Sequence, residues 1–143
     1  MREILFRTYD KGRKEYLSNG NLFIAINKSS RPNKSEIYLD VISNADKYKE
    51  RFVIEQYTGL TDKNGTKIFE GDILKRVIKE DNMEKHILYT VVFSQGCFIV
   101  KPIDSKHLVG VSLSYYITLS SGNCVEVIGN IYDNPELLKG GVE

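Results

Sequence analysis

Apolar residues occur along most of the chain in short runs that polar residues and glycines interrupt, and many runs are rich in β-branched and aromatic side chains. Such runs are typical of strands bounded by turns. The runs that fit strands are 4–7, 14–17, 22–26, 37–42, 52–57, 73–78, 87–93, 97–100 and 125–132. Short strands at this spacing predict a mainly β protein, of the α+β class, with a small barrel.

Three segments depart from the strand pattern. Residues 27–35 are polar and contain a proline, which predicts an exposed loop. Ser43, with Asp46 three residues on, predicts the start of a short helix that runs to about residue 51. Asn134 as an N-cap, with Pro135 at the first helical position, predicts a single helical turn near the end of the chain.

Two sharp bends are predicted on either side of residues 66–69. Asn64-Gly65 is the dipeptide that best accepts the two positive φ angles of a type I′ turn, so we expect a tight reversal centred on it. Gly71 lies at a second bend. Gly59, Gly65 and Gly71 recur every six residues, but they lack the Lys-Ser/Thr and helix start of a phosphate-binding loop. We therefore expect glycines at positive-φ positions rather than a phosphate cradle.

Length and charge limit the classes of function. The 143 residues suit one domain or two small ones, which we place at 1–54 and 55–143. With 20 Lys+Arg against 19 Asp+Glu, the net charge of +1 gives no global attraction to nucleic acid or anionic membrane. No apolar stretch approaches the roughly 18 residues that cross a bilayer, and the first residues do not fit a signal peptide. We expect a soluble protein in the cytoplasm.

The residues that could carry chemistry are few and scattered. Cys97 and Cys124 lie in apolar runs without a Cys-x-x-Cys motif, so we expect buried, reduced thiols that label slowly and bind no metal. His86 is predicted to be solvated at the start of a strand, and His107 lies in a segment that is hard to assign. Neither histidine is close in sequence to the other or to a cysteine. The sequence therefore predicts no cofactor and no metal.

Three carboxylates, Glu55, Glu70 and Asp72, flank the glycine-rich turns and could be grouped for metal binding or acid-base chemistry. We favour a role in shaping the turns, because carboxylates at strand entrances accept hydrogen bonds from backbone N–H groups. No catalytic constellation is found, so we predict that the protein is not an enzyme. An enzyme would need a pocket that joins His86 or His107 to carboxylates.

Two features could provide an interaction surface. Residues 108–117 fit either a strand or a short apolar helix, and the pattern does not decide between them. If Tyr115 and Tyr116 are adjacent in a strand, they point to opposite faces, so one of them faces outward. Separately, tyrosines occur near a set of basic residues, as on small barrels that bind single-stranded nucleic acid. The basic residues are Lys75, Arg76, Lys79 and Lys85.

Two blocks of sequence, residues 56–73 and 127–138, resemble proteins of the YopX family. The start of the chain, with Arg2-Glu3-Ile4, Phe6-Arg7 and Tyr9-Asp10, is similar to the same family. The signature positions, whose predicted role is structural, are Tyr57, Thr58, Gly59, Asp62, Asn64, Gly65, Glu70, Gly71, Asp72, Gly129, Asn130, Asn134 and Pro135. The resemblance implies a strand-rich N-terminal region, a Src-homology-3-like barrel, a phage or prophage origin and no known activity.

These observations predict a non-enzymatic accessory protein that acts in a bacterial host as a protein-interaction or self-assembly module. Its partner would be another protein or a second copy of itself, with Tyr115 and Tyr116 as the candidate surface. The alternative is an accessory protein that binds nucleic acid on the barrel surface. We also expect the 127–138 block to pack on the glycine-rich turns. In that arrangement Ile128, Ile131, Tyr132 and Leu137 complete a core begun by Tyr57, Ile68, Phe69 and Ile73.

Overall fold

The computed structural model describes residues 3–17, 51–80, 83–104, 110–118 and 124–139. The chain divides into a smaller unit, Leu5–Ile54, and a larger unit that comprises Met1–Ile4 and Glu55–Glu143. Several predicted features lie outside the described residues: the strands 22–26 and 37–42, the loop 27–35, the helix from Ser43, and His107. The assignment of separate domains to 1–54 and 55–143 stays a prediction.

The described elements are mostly strands, which confirms the mainly β fold class. The strands are β1 (Phe6–Asp10), β2 (Glu15–Tyr16), β3 (Phe52–Thr61), β4 (Lys67–Phe69), β5 (Asp72–Glu80), β6 (Met83–Ser94), β7 (Cys97–Pro102), β8 (Val111–Ser112) and β9 (Val125–Asn130). The helical elements are α1 (Leu113–Thr118) and a 3₁₀ turn, Pro135–Lys139. The predicted helical turn beginning at Pro135 is thus confirmed. Within these ranges no helix is both long and apolar enough to cross a membrane.

In the smaller unit, β1 and β2 form an antiparallel hairpin in which Tyr9 lies opposite Tyr16. Their rings contact each other edge to face, with centroids 5.0 Å apart. The buried Asp10 fixes the turn: its carboxylate accepts hydrogen bonds from the Gly12 N–H at 2.8 Å and from the Arg51 guanidinium at 2.7 and 2.8 Å. The hydrogen bonds from Arg51 hold the pKa of Asp10 far below its usual range.

The larger unit contains a five-stranded antiparallel sheet in the order β8-β7-β6-β5-β9. The sheet is curled into a half-barrel. Strand β3 begins in the smaller unit and continues into the larger one, where it pairs with β4. The register between β3 and β4 shifts between Tyr57 and Thr61, around Gly59, whose φ is +84°. A glycine relieves the steric conflict that a side chain would meet at such a bulge.

Alternate side chains of β5, β6, β7 and β9 point into one apolar core. Its buried members are Ile68, Leu74, Tyr89, Val91, Val100, Leu113, Tyr116 and Val125. Leu60, Phe98 and Val127 pack against it while partly buried. This alternation is the pattern of a sheet with one buried face.

The predicted tight turn at Asn64-Gly65, with a positive φ of +83° at Gly65, is confirmed, but the turn is not of type I′. Asn64 does not have a positive φ. The Gly65 N–H donates to the Asp62 carbonyl at 3.1 Å, and the Asp62 N–H donates to the Thr66 carbonyl at 2.8 Å. This is a three-residue hairpin loop that ends in a glycine, in place of a two-residue turn.

A turn with two positive φ angles instead joins β6 to β7. Ser94 pairs with Cys97, and the two residues between them, Gln95 and Gly96, have φ values of +50° and +82°. Two successive positive φ angles in a two-residue hairpin loop define the type I′ geometry. The sequence does not indicate this turn type, because glutamine seldom adopts a positive φ.

Residues 110–118 combine the two alternatives that the sequence left open. A two-residue strand, β8, is followed directly by helix α1. Tyr115 and Tyr116 both lie in the helix, so the strand-based reason for placing them on opposite faces is wrong. One side chain nevertheless points outward: Tyr115 is 57% exposed and Tyr116 is 6% exposed.

Candidate functional site

Asp62 links the β3–β4 loop to strand β9. One carboxylate oxygen accepts hydrogen bonds from the N–H groups of Asn64 and Thr66, both at 2.8 Å, and the other accepts from Val127 at 3.0 Å. The side chain is only 4% exposed. Burial opposes its charge, but the N–H donors of Val127, Thr66 and Asn64 outweigh burial and lower the pKa of Asp62.

Asp72 holds the turn between β4 and β5, and Thr58 joins strand β3 to strand β4. The Asp72 carboxylate accepts a hydrogen bond from the Phe69 N–H at 2.7 Å. The Thr58 hydroxyl donates to the Ile68 carbonyl at 2.8 Å and accepts from the Leu60 N–H at 3.2 Å. Asp72 is thus used to shape a turn, as the sequence predicted. Both side chains are buried.

Gly71, in the β4–β5 turn, has a φ of +79° and lies directly against the Glu55 carboxylate. A Cβ added at Gly71 would overlap Glu55 Oε1. The position therefore requires glycine for two independent reasons: its backbone conformation and its contact with a buried side chain. With Gly59 and Gly65, this confirms positive φ angles at all three predicted glycines.

The C-terminal block returns to these turns through its backbone. The Ile131 N–H donates to the Gly71 carbonyl at 2.9 Å, and the Lys63 N–H donates to the Val125 carbonyl at 3.0 Å. The buried Asn130 accepts hydrogen bonds from the N–H groups of Tyr132 and Asp133, both at 2.9 Å. The predicted docking of this block is therefore confirmed.

The prediction that four side chains of this block complete the core is wrong. The residues Ile128, Ile131, Tyr132 and Leu137 are half-buried and lie outside the core cluster. Val125 is buried in that core, and Val127 packs against it. Asn134 lies at the predicted N-cap position, where its carbonyl accepts a hydrogen bond from the Leu137 N–H at 3.1 Å. Its side-chain Oδ1 instead lies against Gly129 and 3.4 Å from the Asn130 N–H.

We call Thr58, Asp62, Asp72 and Asn130 the buried polar set. All four belong to the sequence signature, and the structure shows each one bonded to backbone groups, of turns for Asp62, Asp72 and Asn130 and of strands for Thr58. Buried polar groups must be paired, and here the partner is the backbone itself. The oxygen atoms that shape the turns are thereby occupied, so Asp62, Asp72 and Asn130 have a structural role.

The described residues offer little for metal binding. They contain no group of three His, Cys, Asp or Glu side chains that could hold a metal ion. His86 is exposed, as predicted, with its Nε2 atom 3.9 Å from Glu84. The two cysteines are free, but the prediction that both are buried is wrong, because Cys97 is exposed and Cys124 is half-buried.

Most of the basic residues considered for nucleic-acid binding have partners within the protein. Lys79 lies 3.1 Å from Glu84, and Lys75 lies 3.9 Å from Glu126. The Arg76 guanidinium is 4.9 Å from the centre of the Tyr116 ring. The positive charges of this surface are therefore interspersed with acidic and aromatic groups.

An open groove of about 410 Å³ lies on the larger unit and was not predicted from the sequence. Its lining residues are Gln56, Thr58, Leu60, Phe93, Gly96, Cys97, Phe98, Ser112, Leu113 and Ser114. None of them carries an acidic or basic side chain. The groove therefore combines apolar side chains with neutral hydrogen-bonding groups.

Phe93 and Phe98 form the aromatic part of the groove. They lie opposite each other on β6 and β7, with ring centroids 5.2 Å apart in an edge-to-face arrangement. Phe93 is 52% exposed. The exposed Cys97 follows the type I′ turn, and its Sγ lies 3.5 Å from the Ser94 carbonyl. An apolar side chain directly before a turn, as in Phe93-Ser94-Gln95-Gly96, is the signal that could have marked this site.

The structure thus defines a strand-dominated protein whose polar signature residues hold turns together and whose neutral groove remains open. Residues 5–139 match the model of the YopX family, described as YopX protein, and the chain belongs to that family. A crystal structure of protein EF1440 from Enterococcus faecalis is similar, with 31% identity and a TM-score of 0.59. That alignment covers 96% of this chain and 99% of the other. No curated protein matches.

Proposed function

We propose that this YopX-family protein is a non-enzymatic accessory protein of phage or prophage origin that binds other proteins in the host cytoplasm. The observation that carries the proposal is the open groove, which contains a half-exposed phenylalanine and no charged side chain. Apolar surface that remains accessible beside polar neighbours is characteristic of protein-binding sites.

Two features support binding over catalysis. The buried carboxylates that might serve as acid or base already accept hydrogen bonds from turn backbones, as at Asp62 and Asp72. General acid-base catalysis requires a side chain that can reach a substrate proton. The groove itself offers hydroxyl, amide and thiol groups, but no histidine or carboxylate.

The charge pattern favours protein over nucleic acid as the ligand. Binding to a phosphate backbone depends on several basic side chains that contact phosphates. Here Lys79 and Lys75 each lie near an acidic residue, and the groove lining has no basic residue. Tyr115 is a second exposed aromatic residue of the larger unit, and it could also contact a partner protein.

The test is affinity purification of the tagged full-length chain from host cells that carry the phage, with and without nuclease. Wild type is compared with Phe93→Ser and with a matched control, Met83→Ser, because Met83 is 75% exposed and does not line the groove. We expect nuclease-resistant protein partners, or a second copy of the chain, that Phe93→Ser loses and Met83→Ser retains. Partners that nuclease removes would overturn the proposal in favour of nucleic-acid binding.

A further inference from the structure

We infer that Asn64 is a modification site, at which the side-chain amide is lost through a cyclic succinimide, and that Asp62 controls the rate by holding the loop closed. The inference goes beyond the proposed function and does not rest on the groove. It combines three observations: the residue that follows Asn64, the exposure of the loop between β3 and β4, and the hydrogen bonds that fix the backbone of this loop.

The reaction joins the side chain of Asn64 to the backbone of the next residue. The Gly65 nitrogen loses its proton and attacks Asn64 Cγ, the bond from Cγ to the side-chain nitrogen breaks, and ammonia leaves. Water then opens the five-membered ring at one of its two carbonyl groups. Opening at one carbonyl gives aspartate, and opening at the other gives isoaspartate, in which the main chain runs through Cγ. Water is the only co-reactant, and no group is oxidised or reduced.

The surroundings of Asn64 and Gly65 leave room for this reaction. Both residues are exposed. Glycine has no side chain that would hinder the approach of its own nitrogen to Cγ. No atom lies within 4 Å of the position that a Cβ would take at Gly65, so the ring and the attacking water can be accommodated.

The other two asparagines among the described residues are unsuited to the reaction. Asn130 is buried, and the N–H of the following Ile131 donates to the Gly71 carbonyl at 2.9 Å. Asn134 is followed by Pro135, whose backbone nitrogen has no proton to lose. In the described part of the chain, only Asn64 combines an exposed side chain with a following glycine.

The closed loop keeps the reacting atoms of Asn64 and Gly65 apart. The Gly65 N–H donates to the Asp62 carbonyl at 3.1 Å, and φ is positive at Gly65 but not at Asn64. In a three-residue hairpin loop these features define a type I turn followed by a glycine, with Asn64 as the third residue of the turn, where ψ is about 0°. At that ψ the Gly65 nitrogen is turned away from the Asn64 Cβ. Closure of a five-membered ring needs the two atoms on the same side of the Cα–C bond.

The loop must therefore open before the ring can form, and Asp62 opposes the opening. One oxygen of its carboxylate accepts hydrogen bonds from the N–H groups of Asn64 and Thr66, both at 2.8 Å, while its carbonyl accepts from Gly65. Rotation about the Asn64 Cα–C bond breaks the bond to Gly65 and moves Thr66 away from the carboxylate. Because local opening has a free-energy cost, only a small fraction of molecules is open at any time. The rate of modification should follow that fraction.

Isoaspartate at position 64 should weaken the attachment of β9 to the loop. It inserts one extra carbon into the main chain between the N–H groups of Asn64 and Thr66, so one Asp62 oxygen can no longer hold both. The other oxygen of the same carboxylate accepts from Val127 of β9 at 3.0 Å. Aspartate at position 64 leaves the length of the main chain unchanged, so it should keep these contacts.

The first experiment follows the full-length wild type at one pH in buffer and in guanidinium chloride. Fragmentation mass spectrometry locates the change from amide to acid, and an isoaspartyl methyltransferase detects isoaspartate. Among the described asparagines of the folded protein, we expect conversion at Asn64 and none at Asn130 or Asn134. Conversion at Asn64 should be at least tenfold faster in the unfolded chain. An Asn64 amide that persists in folded protein for a hundred half-lives of the unfolded chain would overturn the assignment.

The second experiment measures loop opening in the wild type by hydrogen exchange of the Gly65 and Thr66 amides. If the same opening exposes these amides and permits ring closure, their protection should match the slowing of conversion at Asn64 within about fivefold. A larger mismatch would show that the opening of this loop does not control the reaction. This measurement requires no substitution, so it holds even if a variant fails to fold.

The role of Asp62 is tested with Asp62→Asn and a control, Glu126→Gln. Glu126 pairs with the Lys63 side chain of the same loop at 2.8 Å, whereas Asp62 accepts hydrogen bonds from the loop backbone. Both variants are incubated at a temperature at which circular dichroism shows them folded. Asp62→Asn should speed conversion of Asn64 at least threefold, and Glu126→Gln less than twofold. Equal rates in Asp62→Asn and wild type would contradict control by Asp62.

The last experiment compares the isoaspartate form, separated by ion-exchange chromatography, with Asn64→Asp. The two proteins have the same charge and differ only in the path of the main chain at position 64. The isoaspartate form should melt at a lower temperature than Asn64→Asp, and equal melting would contradict the loosening of β9. Partner binding by Phe93→Ser tests the groove separately, so either the modification site or the proposed function can fail while the other stands.

Discussion

The buried polar set and the groove differ in the accessibility of their side chains, although both lie in the larger unit. In the buried polar set, each side chain is paired with backbone groups, as Asp62 is with the loop and β9. In the groove, Phe93 and Cys97 are exposed beside a turn in which Gln95 adopts a positive φ. Only Thr58 belongs to both, and its hydroxyl already bonds Ile68.

This contrast indicates that a sequence signature can mark residues that stabilise turns and leave the proposed binding surface unmarked. The signature residues Asp62, Asp72 and Asn130 are buried, so a ligand could reach them only by opening the turns. Apart from Thr58, the groove residues are ones that the signature does not contain. Substitutions in the first region should therefore change unfolding, and substitutions in the second should change binding.

The largest effect is expected from deletion of residues 129–143. The deletion removes the Ile131–Gly71 hydrogen bond, the buried Asn130 and the pairing of β9 with β5 at Asp72 and Ile73. Burying one isoleucine or leucine is worth roughly 1.5–3 kcal/mol, and the whole domain has only about 5–15 kcal/mol. We expect no cooperative thermal transition by circular dichroism. Leu138→Ser, at an exposed position, is the control and should melt cooperatively.

The second prediction compares two glycines with similar backbones. Gly71 has a φ of +79° and touches Glu55, whereas Gly96 has a φ of +82° and open space where a Cβ would lie. Gly71→Ala should destabilise the fold by about 3 kcal/mol, through backbone strain and overlap. Gly96→Ala should cost only about 1 kcal/mol. Equal losses in chemical denaturation would show that contact with Glu55 is unimportant.

The sequence predicted the strands well because their apolar alternation is local. Runs such as 73–78 and 87–93 carry their pattern within a few residues, and they became β5 and β6. The polar residues near the glycines also suggested turn-shaping roles, since short side chains bond nearby backbone. Both signals require no knowledge of distant residues.

The groove could not be predicted because it depends on residues brought together from β3, β6, β7 and α1. Local preference also does not determine the type of a turn. Asn-Gly favours a type I′ turn, but the carboxylate of Asp62 holds a longer loop there. Cys97 appeared buried because of its apolar run, yet it lies at the strand end beside a turn, where neighbours are few.

The third prediction concerns pH and Asp62. Its folded-state pKa is lowered, whereas an unfolded aspartate titrates near about 3.9, so its stabilisation is fully present above that value. That stabilisation is lost as the pH falls through the folded-state pKa. Asp62→Asn should cost about 2 kcal/mol at pH 7, because its amide would face the Val127 N–H.

The measurement is urea denaturation between pH 7 and pH 2.5, with Glu84→Gln as the control. The pKa of Glu84 is also lowered, through its hydrogen bond with Lys79, but both side chains are largely exposed. Exposed ion pairs contribute little to stability. Asp62→Asn should flatten the loss of stability at low pH, and Glu84→Gln should not. Parallel pH curves for Asp62→Asn and wild type would mean that Asp62 is not a stabilising acceptor.

The smallest predicted effect is a gain in stability at the groove. Gln95 has a φ of +50°, a conformation that costs a side chain roughly 1 kcal/mol, and asparagine tolerates it better. Gln95→Asn would create the Asn-Gly pair that type I′ turns favour, and we expect about 0.5 kcal/mol of added stability. For a chain of this size that corresponds to a rise in melting temperature of about 1–2 °C.

Gln95→Ala retains the Cβ and should give no rise. A gain in stability without loss of partner binding would show that the strain is incidental. A gain with weaker binding would show that the strained turn helps to keep the groove in its binding shape.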